Sequence, residues 1–280
     1  MEFLKMHGCG NDYVAIDGRE LTLREEKRGA LARRLCDRHY GIGADGLLIL
    51  KTGERAAFEM EMYNPDGSRG ISCGNGLRCV GKYLYDRGIT RERSFGIETM
   101  ESVKTLTLVE EASRPGGSTW KVDMGEVTFP YGQDSLEVLG EQLFPVNVGN
   151  PHAVLFPGEG EPGEWPVGRL GPGIERAREF PDRINIEFVK VLSRSRIVMR
   201  VWERGAGETL ACGTGACAAA AVCMQKDLTD EEITVTLLGG ELIVSKDRDT
   251  GHMFLTGPAV TVFEGDFPLD GEEKKHGKVK

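Results

Sequence analysis

No two cysteines of this 280-residue chain stand in a C-x-x-C spacing, which removes the usual framework of a structural zinc site. The seven cysteines are odd in number and scattered, which argues against a disulfide framework and for reduced thiols. Positive charge is not in excess either. With 35 basic residues against 44 acidic ones the net charge is −9, so the footprint of a nucleic-acid or anionic-membrane binder is missing. Long apolar runs are absent as well, and the longest, "ACAAAAVCM" (216–224), is far too short to span a bilayer. The opening "MEFLKMHGCG" lacks the basic-then-apolar pattern of a secretory leader, so the expected location is the cytoplasm. A hydrophobic content of 40% and a charged content of 28% leave a globular protein acting on a small molecule.

What the chain does contain is a repeat. "ISCGNGLRCVG" (71–81) and "LACGTGACAAA" (210–220) each put a cysteine before a Gly-x-Gly turn that opens a helix, and Cys73 and Cys212 are 139 residues apart. The same offset relates Asn11 in "GCGNDYVAI" to Asn150 in "VGNPHAVLF", Asn64 to Glu203, and position 46, a glycine, to Asn185. Four separated segments in one register indicate duplication of a folding unit. The expected domains are an N-terminal lobe, 1–116, with 257–280 returning to it or trailing, and a C-terminal lobe, 117–256. The Pro/Gly-rich "SRPGGS" (113–118) is read as the linker, "FPGEGEPGEWP" (156–166) as a surface loop, and the tail "GEEKKHGKVK" as disordered.

Period and punctuation place the elements. Residues 22–41 read as a helix with a Thr22/Glu25 capping box and a stop at Gly41. "NGLRCVGKYLYDRG" sets Leu77, Val80 and Leu84 on one helical face and ends at Gly88, whereas the helix after Cys212 is small and apolar all round, which places it inside its lobe. Strand-like runs at 102–109, 119–125 and 232–238, with "ELIVS" and "MFLTG", surround these helices. The expected fold class is α/β (α+β): two pseudo-symmetric lobes, each a curved mixed sheet wrapped around a central helix.

A cysteine at a helix start lies in the positive end of the dipole, which favours thiolate, and the bare N–H groups after it can hold a carboxylate. Two such turns facing each other would grip one carboxylate and set a cysteine on either side of the adjacent carbon. Inverting an amino-acid α-carbon requires two acid/base groups, one thiolate and one thiol, and N–H dipoles to take up the developing charge. The ordinary alternative, a buried small hydrophobe, is the reading for Cys9, Cys36, Cys79, Cys217 and Cys223.

With "KMHGCGNDYVAID" (5–17), "RHYGIGADGLL" (38–48), "YNPDGSRGISCGNGLRC" (63–79), "VNVGNPHAV" (146–154), "RINIEFV" (183–189) and "WERGAGETLACGTGACA" (202–218), the chain resembles the diaminopimelate epimerases over nearly its whole length. The resemblance implies pyridoxal-phosphate-independent interconversion of LL- and meso-diaminopimelate in lysine and peptidoglycan precursor biosynthesis. It implies a site in the cleft between two lobes, with Cys73 and Cys212 as the bases and no cofactor or metal. Asn11, Asn64, Asn150, Asn185, Glu203 and Arg204 would bind the two amino-acid ends of the substrate, Gly74–Asn75 and Gly213–Thr214 would cradle the reacting carboxylate, and His152 and Glu203 would support the thiols. A homodimer is the assembly it implies. Gly46 departs from relatives that carry a glutamine there. The competing readings are another cofactor-independent racemase of this fold, a dithiol redox protein, or a binding module for a diamino diacid.

Overall fold

A computed structural model describes every residue except 20–23, 71–73, 112–115, 132–134, 159 and 269–280. Cys73, Thr22, residues 113–115 of the 113–118 stretch and the C-terminal tail therefore lie outside the described residues. The chain divides into two compact units, Met1–Val122 with the chain from Pro258 onward, and Asp123–Gly257.

In the first unit β1 (Glu2–Gly8) and β2 (Asn11–Asp17) make an antiparallel hairpin whose turn residues, Cys9 and Gly10, have φ of 54° and 80°. After α1 (Glu25–Cys36), β3 (Gly46–Thr52) lies parallel to β2, and β4 (Phe58–Tyr63) lies antiparallel to β3. The short β5 (Arg69–Gly70) leads to α2 (Gly74–Asp86), and β6 (Ser94–Glu98), β7 (Val103–Glu111) and β8 (Gly117–Glu126) complete the run. The final strand returns to pair with β1, and Thr261 N–H donates to the Gly116 carbonyl beside β8, so the sheet curls back on itself. Helix α2 packs against β1, β2, β3, β4 and β7. It comes close to the sheet because Gly81 has no side chain: a Cβ there would stand 2.8 Å from Leu106 and 3.0 Å from the Trp120 ring. Helix α1 covers the opposite face, burying Leu31 and Leu35 with Val14, Ile16, Leu47 and Ile49.

Helix α1 is shorter than residues 22–41. Arg24 at its N-cap makes no side-chain cap, and at the other end Asp37 is extended and its carboxylate accepts the His39 and Tyr40 N–H groups. That side-chain competition ends the helix at Cys36, well before Gly41. Helix α2, by contrast, stops where its glycine indicates, with Gly88 at φ 64°.

The second unit repeats the first. It holds β9 (Leu136–Val138), β10 (Glu141–Asn147), β11 (Pro151–Leu155), a 3₁₀ turn (Pro162–Glu164), α3 (Val167–Glu175), β12 (Asn185–Ser193), β13 (Arg196–Glu203), β14 (Gly207–Thr209), α4 (Gly213–Gln225), β15 (Glu232–Leu237), β16 (Gly240–Lys246) and the start of the final strand, β17 (His252–Asp266), which passes into the first unit at Pro258. Helix α4 begins and ends 139 residues after α2. The parallel pair Tyr13↔Gly46 recurs as His152↔Asn185, and the antiparallel pair Leu47↔Tyr63 recurs as Ile186↔Trp202. Residues 213–223 of α4 are all buried, against β10 to β13, β15 and β16. Alanine and glycine there let the strands close on the helix axis. On the sheet's other face α3 buries Val167, Leu170 and Ile174 with Phe188, Ile186 and Trp165.

The division between units falls inside β8, not in the 113–118 stretch. Glu111 pairs with Ser118 and Leu106 with Val122, so the described chain on either side of residues 112–115 belongs to one antiparallel pair. Among the described residues no helix is long and apolar enough to cross a membrane.

Candidate active site

The second unit assembles eight of the sequence-predicted residues around the start of α4. Cys212 is extended (φ −120°, ψ 115°) and serves as the N-cap of the helix, its Sγ accepting from Gly215 N–H at 3.4 Å and lying 3.4 Å from Thr214 Oγ1. An N-cap uses an acceptor side chain to satisfy a helix's orphan donors, and here sulfur does so. Gly213 and Thr214 form the first turn. Glu203 ends β13, held by the β13–β14 hairpin, and its carboxylate accepts from Thr209 Oγ1 and acts electrostatically on the Cys212 thiol.

Burial pushes the Cys212 thiol well up, and the carboxylates of Glu203 and Glu187 push it further. The expectation that the helix start favours thiolate is thus reversed at this position. The residue is 5% exposed, and loss of hydration outweighs the helix-terminal field. Burial also raises Glu203 and Glu187. Burial and the two neighbouring carboxylates thus favour the thiol form of Cys212.

His152 on β11 is fully buried, with Nδ1 2.7 Å from Glu187 Oε1 and Nε2 2.9 Å from Asn150 Oδ1. Asn150 sits in the turn before β11, where Gly149 has φ 86° and its N–H donates to the Asn147 side chain. Asn185 opens β12 and is committed at both ends: Nδ2 donates to the Pro151 carbonyl and Oδ1 accepts the Arg204 N–H, each at 2.9 Å. It pins the Asn150 turn to the Glu203–Arg204 corner. The Arg204 guanidinium donates to the Asp182 carbonyl at 3.1 Å.

In the first unit Asn11 opens β2, accepts from the Tyr13 hydroxyl and donates to Asp45 Oδ2 at 3.4 Å. It pairs across the hairpin with Gly8, where a Cβ would be 3.4 Å from that of Asn75. Asn75 and Gly74 form the first turn of α2, and the buried Arg78 donates to the Asn75 side chain at 2.8 Å and to the Gly74 carbonyl at 3.3 Å. Asn64 follows β4 and donates to Ser68 Oγ at 2.9 Å. Gly46 has a steric reason, since a Cβ would stand 3.1 Å from the Tyr63 carbonyl and 3.3 Å from the Tyr13 ring.

The family model for diaminopimelate epimerase matches residues 3–130 and 144–262. The chain belongs to the diaminopimelate epimerase family. A diaminopimelate epimerase of Acetivibrio thermocellus is 43% identical over 284 residues, covering 96% of this chain and 99% of the relative, and one of Methanococcus maripaludis is 40% identical, covering 96% and 100%. Among solved structures, a probable proline racemase from Agrobacterium radiobacter superposes with a TM-score of 0.74 at 16% identity, over 96% of this chain and 93% of that one. A hydroxyproline epimerase from Agrobacterium vitis gives 0.72 at 15% identity, over 95% and 90%. The last two share the fold.

Three members of the site neighbourhood were not singled out from sequence. Arg78 ties the first turn of α2. Glu175, buried on α3, accepts from Trp202 Nε1 at 2.8 Å and from Gly205 N–H at 3.1 Å, holding the corner that carries Glu203. Glu187 is the third. Its signal was available: a carboxylate among the apolar neighbours of "RINIEFV" has to be paired.

Proposed function

We propose that the chain epimerises diaminopimelate at an α-carbon, taking LL to meso without cofactor or metal, with Cys73 and Cys212 as the two acid/base groups. The observation that carries this is Cys212: a buried thiol that caps α4 close to the carboxylate of Glu203, repeated in sequence by Cys73 directly before α2. In the forward step one sulfur, as thiolate, takes the α-proton as the C–H bond breaks, and the electron pair moves into the adjacent carboxylate. N–H groups at the helix start meet that charge. The other sulfur, as thiol, gives its proton to the opposite face, so each turnover exchanges the two protonation states. The raised Cys212 thiol fits the proton donor for the LL substrate and leaves Cys73 to abstract.

The dithiol redox alternative is disfavoured, because a redox cysteine needs a depressed pKa and access, and Cys212 has neither. The asparagines, Glu203 and Arg204 supply the donors and acceptors that a diamino diacid requires. A homodimer in the cytoplasm belongs to the same proposal. The test is incubation with LL-diaminopimelate in deuterated water. Meso product with one α-deuterium is expected, and product without solvent deuterium, or no product at all, would overturn the reading.

A further inference from the structure

The two units treat their matching asparagines alike. In each, the residue two positions on reaches back to the Oδ1 atom: Tyr13 to Asn11 in the first, His152 to Asn150 in the second. Tyr13 brings its own hydroxyl proton. Histidine does not guarantee one, because either ring nitrogen can be the acceptor and the group on the other nitrogen decides. At the position where the first unit has the buried Leu48, the second unit has Glu187, 139 residues later, with its carboxyl on His152 Nδ1.

We propose that Glu187 is a positioning residue: through His152 it fixes the Asn150 side chain with Oδ1 turned inward, so that its amide nitrogen is presented to a carboxylate of the substrate. This rests on the epimerase reading for the identity of that carboxylate, not for the arrangement itself. Three proton placements are available to the fully buried Glu187–His152 pair. A carboxylate with an imidazolium has N–H at both ring nitrogens. A carboxylic acid donating to Nδ1 leaves the proton on Nε2. Both are neutral overall, and both give Asn150 Oδ1 a donor. The third, a carboxylate beside a neutral imidazole protonated only at Nδ1, would turn Asn150 round. It leaves a net negative charge in the interior, with Glu187 Oε2 unpartnered and the carboxyl of Glu203 also acting on the same thiol. Burying an unbalanced carboxylate is the costliest of the three. In the first unit a leucine suffices where Glu187 stands, because tyrosine needs no partner to donate.

The geometry also couples Glu187 to the cysteine. A Cβ on Gly215 would be 2.7 Å from Glu187 Oε1 and 3.3 Å from Cys212 Sγ, so the carboxyl packs against the same helix turn that the sulfur caps. The Asn150 amide and the thiol are therefore registered by one buried group.

The test uses Glu187→Met and Glu187→Gln in the full chain, with His152→Phe to assign the His152 signal among the five histidines. Glutamine can donate to Nδ1 from its amide and so keep the proton on Nε2, whereas methionine has no donor. Expected are an Nε2 resonance of protonated type in wild type and in Glu187→Gln by ¹⁵N NMR, and a KM within about threefold of wild type for Glu187→Gln. Glu187→Met should lose that uniform protonation and raise KM by about tenfold, with kcat falling much less. An unprotonated Nε2 in wild type, an unchanged KM in Glu187→Met, or equal impairment of both variants would overturn the proposal. If Glu187→Met does not fold, the wild-type resonance and the glutamine variant decide. Should wild type fail to exchange the substrate's α-proton, the epimerase reading falls, while the NMR result still decides the role of Glu187.

Discussion

Gly215→Ala separates the chemistry of the site from its stability. The glycine is the second of the C-G-T-G turn and lies in the first turn of α4, where alanine is the better helix former by about 1 kcal/mol. Space opposes the change. The added methyl would sit 2.7 Å from Glu187 Oε1 and 3.3 Å from both Cβ and Sγ of Cys212, whereas carbon–oxygen contacts settle at about 3.3 Å or more. Something must yield by roughly half an ångström, and the carboxyl is held on His152 in a fully buried place. Overpacking of this kind costs about 1–3 kcal/mol, so the two effects nearly cancel or leave about 2 kcal/mol of destabilisation. The sulfur is not compensated. Displacement of a catalytic group by the order of 1 Å lowers rate about a hundredfold. The expected result is a folded protein whose kcat/KM in the α-deuterium exchange assay falls about a hundredfold. Gly168→Ala, at an exposed position of α3 where the Cβ would meet nothing within 4 Å, is the control and should leave the rate in place without lowering the melting temperature. Undiminished kcat/KM in Gly215→Ala, or a loss of rate that only tracks loss of folded protein, would refute the reasoning.

Cys73→Ala and Cys212→Ala should each abolish epimerisation while near- and far-ultraviolet circular dichroism stay those of wild type; most of the activity surviving in either variant counts against a two-base mechanism. The Cys36 and Cys223 thiols, pushed up to about 12 by burial, should resist iodoacetamide at pH 8 in the native protein, and rapid labelling of either by mass spectrometry would contradict their placement. Glu98 is drawn down to about 2 by the Arg55 backbone N–H, the Arg55 guanidinium and the Glu54 N–H, against an ordinary 4.5. A depressed carboxyl contributes stability above its unfolded value and loses it as the pH falls toward the folded one. Glu98→Gln should therefore melt below wild type at pH 7, with the gap closing between about pH 4.5 and 2; a gap that does not change with pH would show that the carboxylate charge is irrelevant.

The duplication, the central helices and the mixed sheets were legible in the sequence because each rests on a local pattern repeated at a constant offset. Cys73 and Cys212 share a motif, α2 and α4 share a register, and alanine on every side of α4 already implied that it is enclosed. Helix α1 was misjudged at its end because Asp37 competes for backbone donors, which composition cannot weigh against an otherwise good helical run. The asparagines stood out in the sequence as candidate site residues. Their division of labour did not: only the fold commits both ends of Asn185 to the backbone and gives Asn150 to His152. The protonation of Cys212 likewise belongs to tertiary structure. Sequence places it at a helix start, which favours thiolate, but the sulfur's hydration is removed by strands distant along the chain, and Glu203 and Glu187 arrive from two of them. Local sequence determines where a side chain enters an element, whereas burial and through-space charge depend on what packs against it, and the ionisation of this site is decided by the latter.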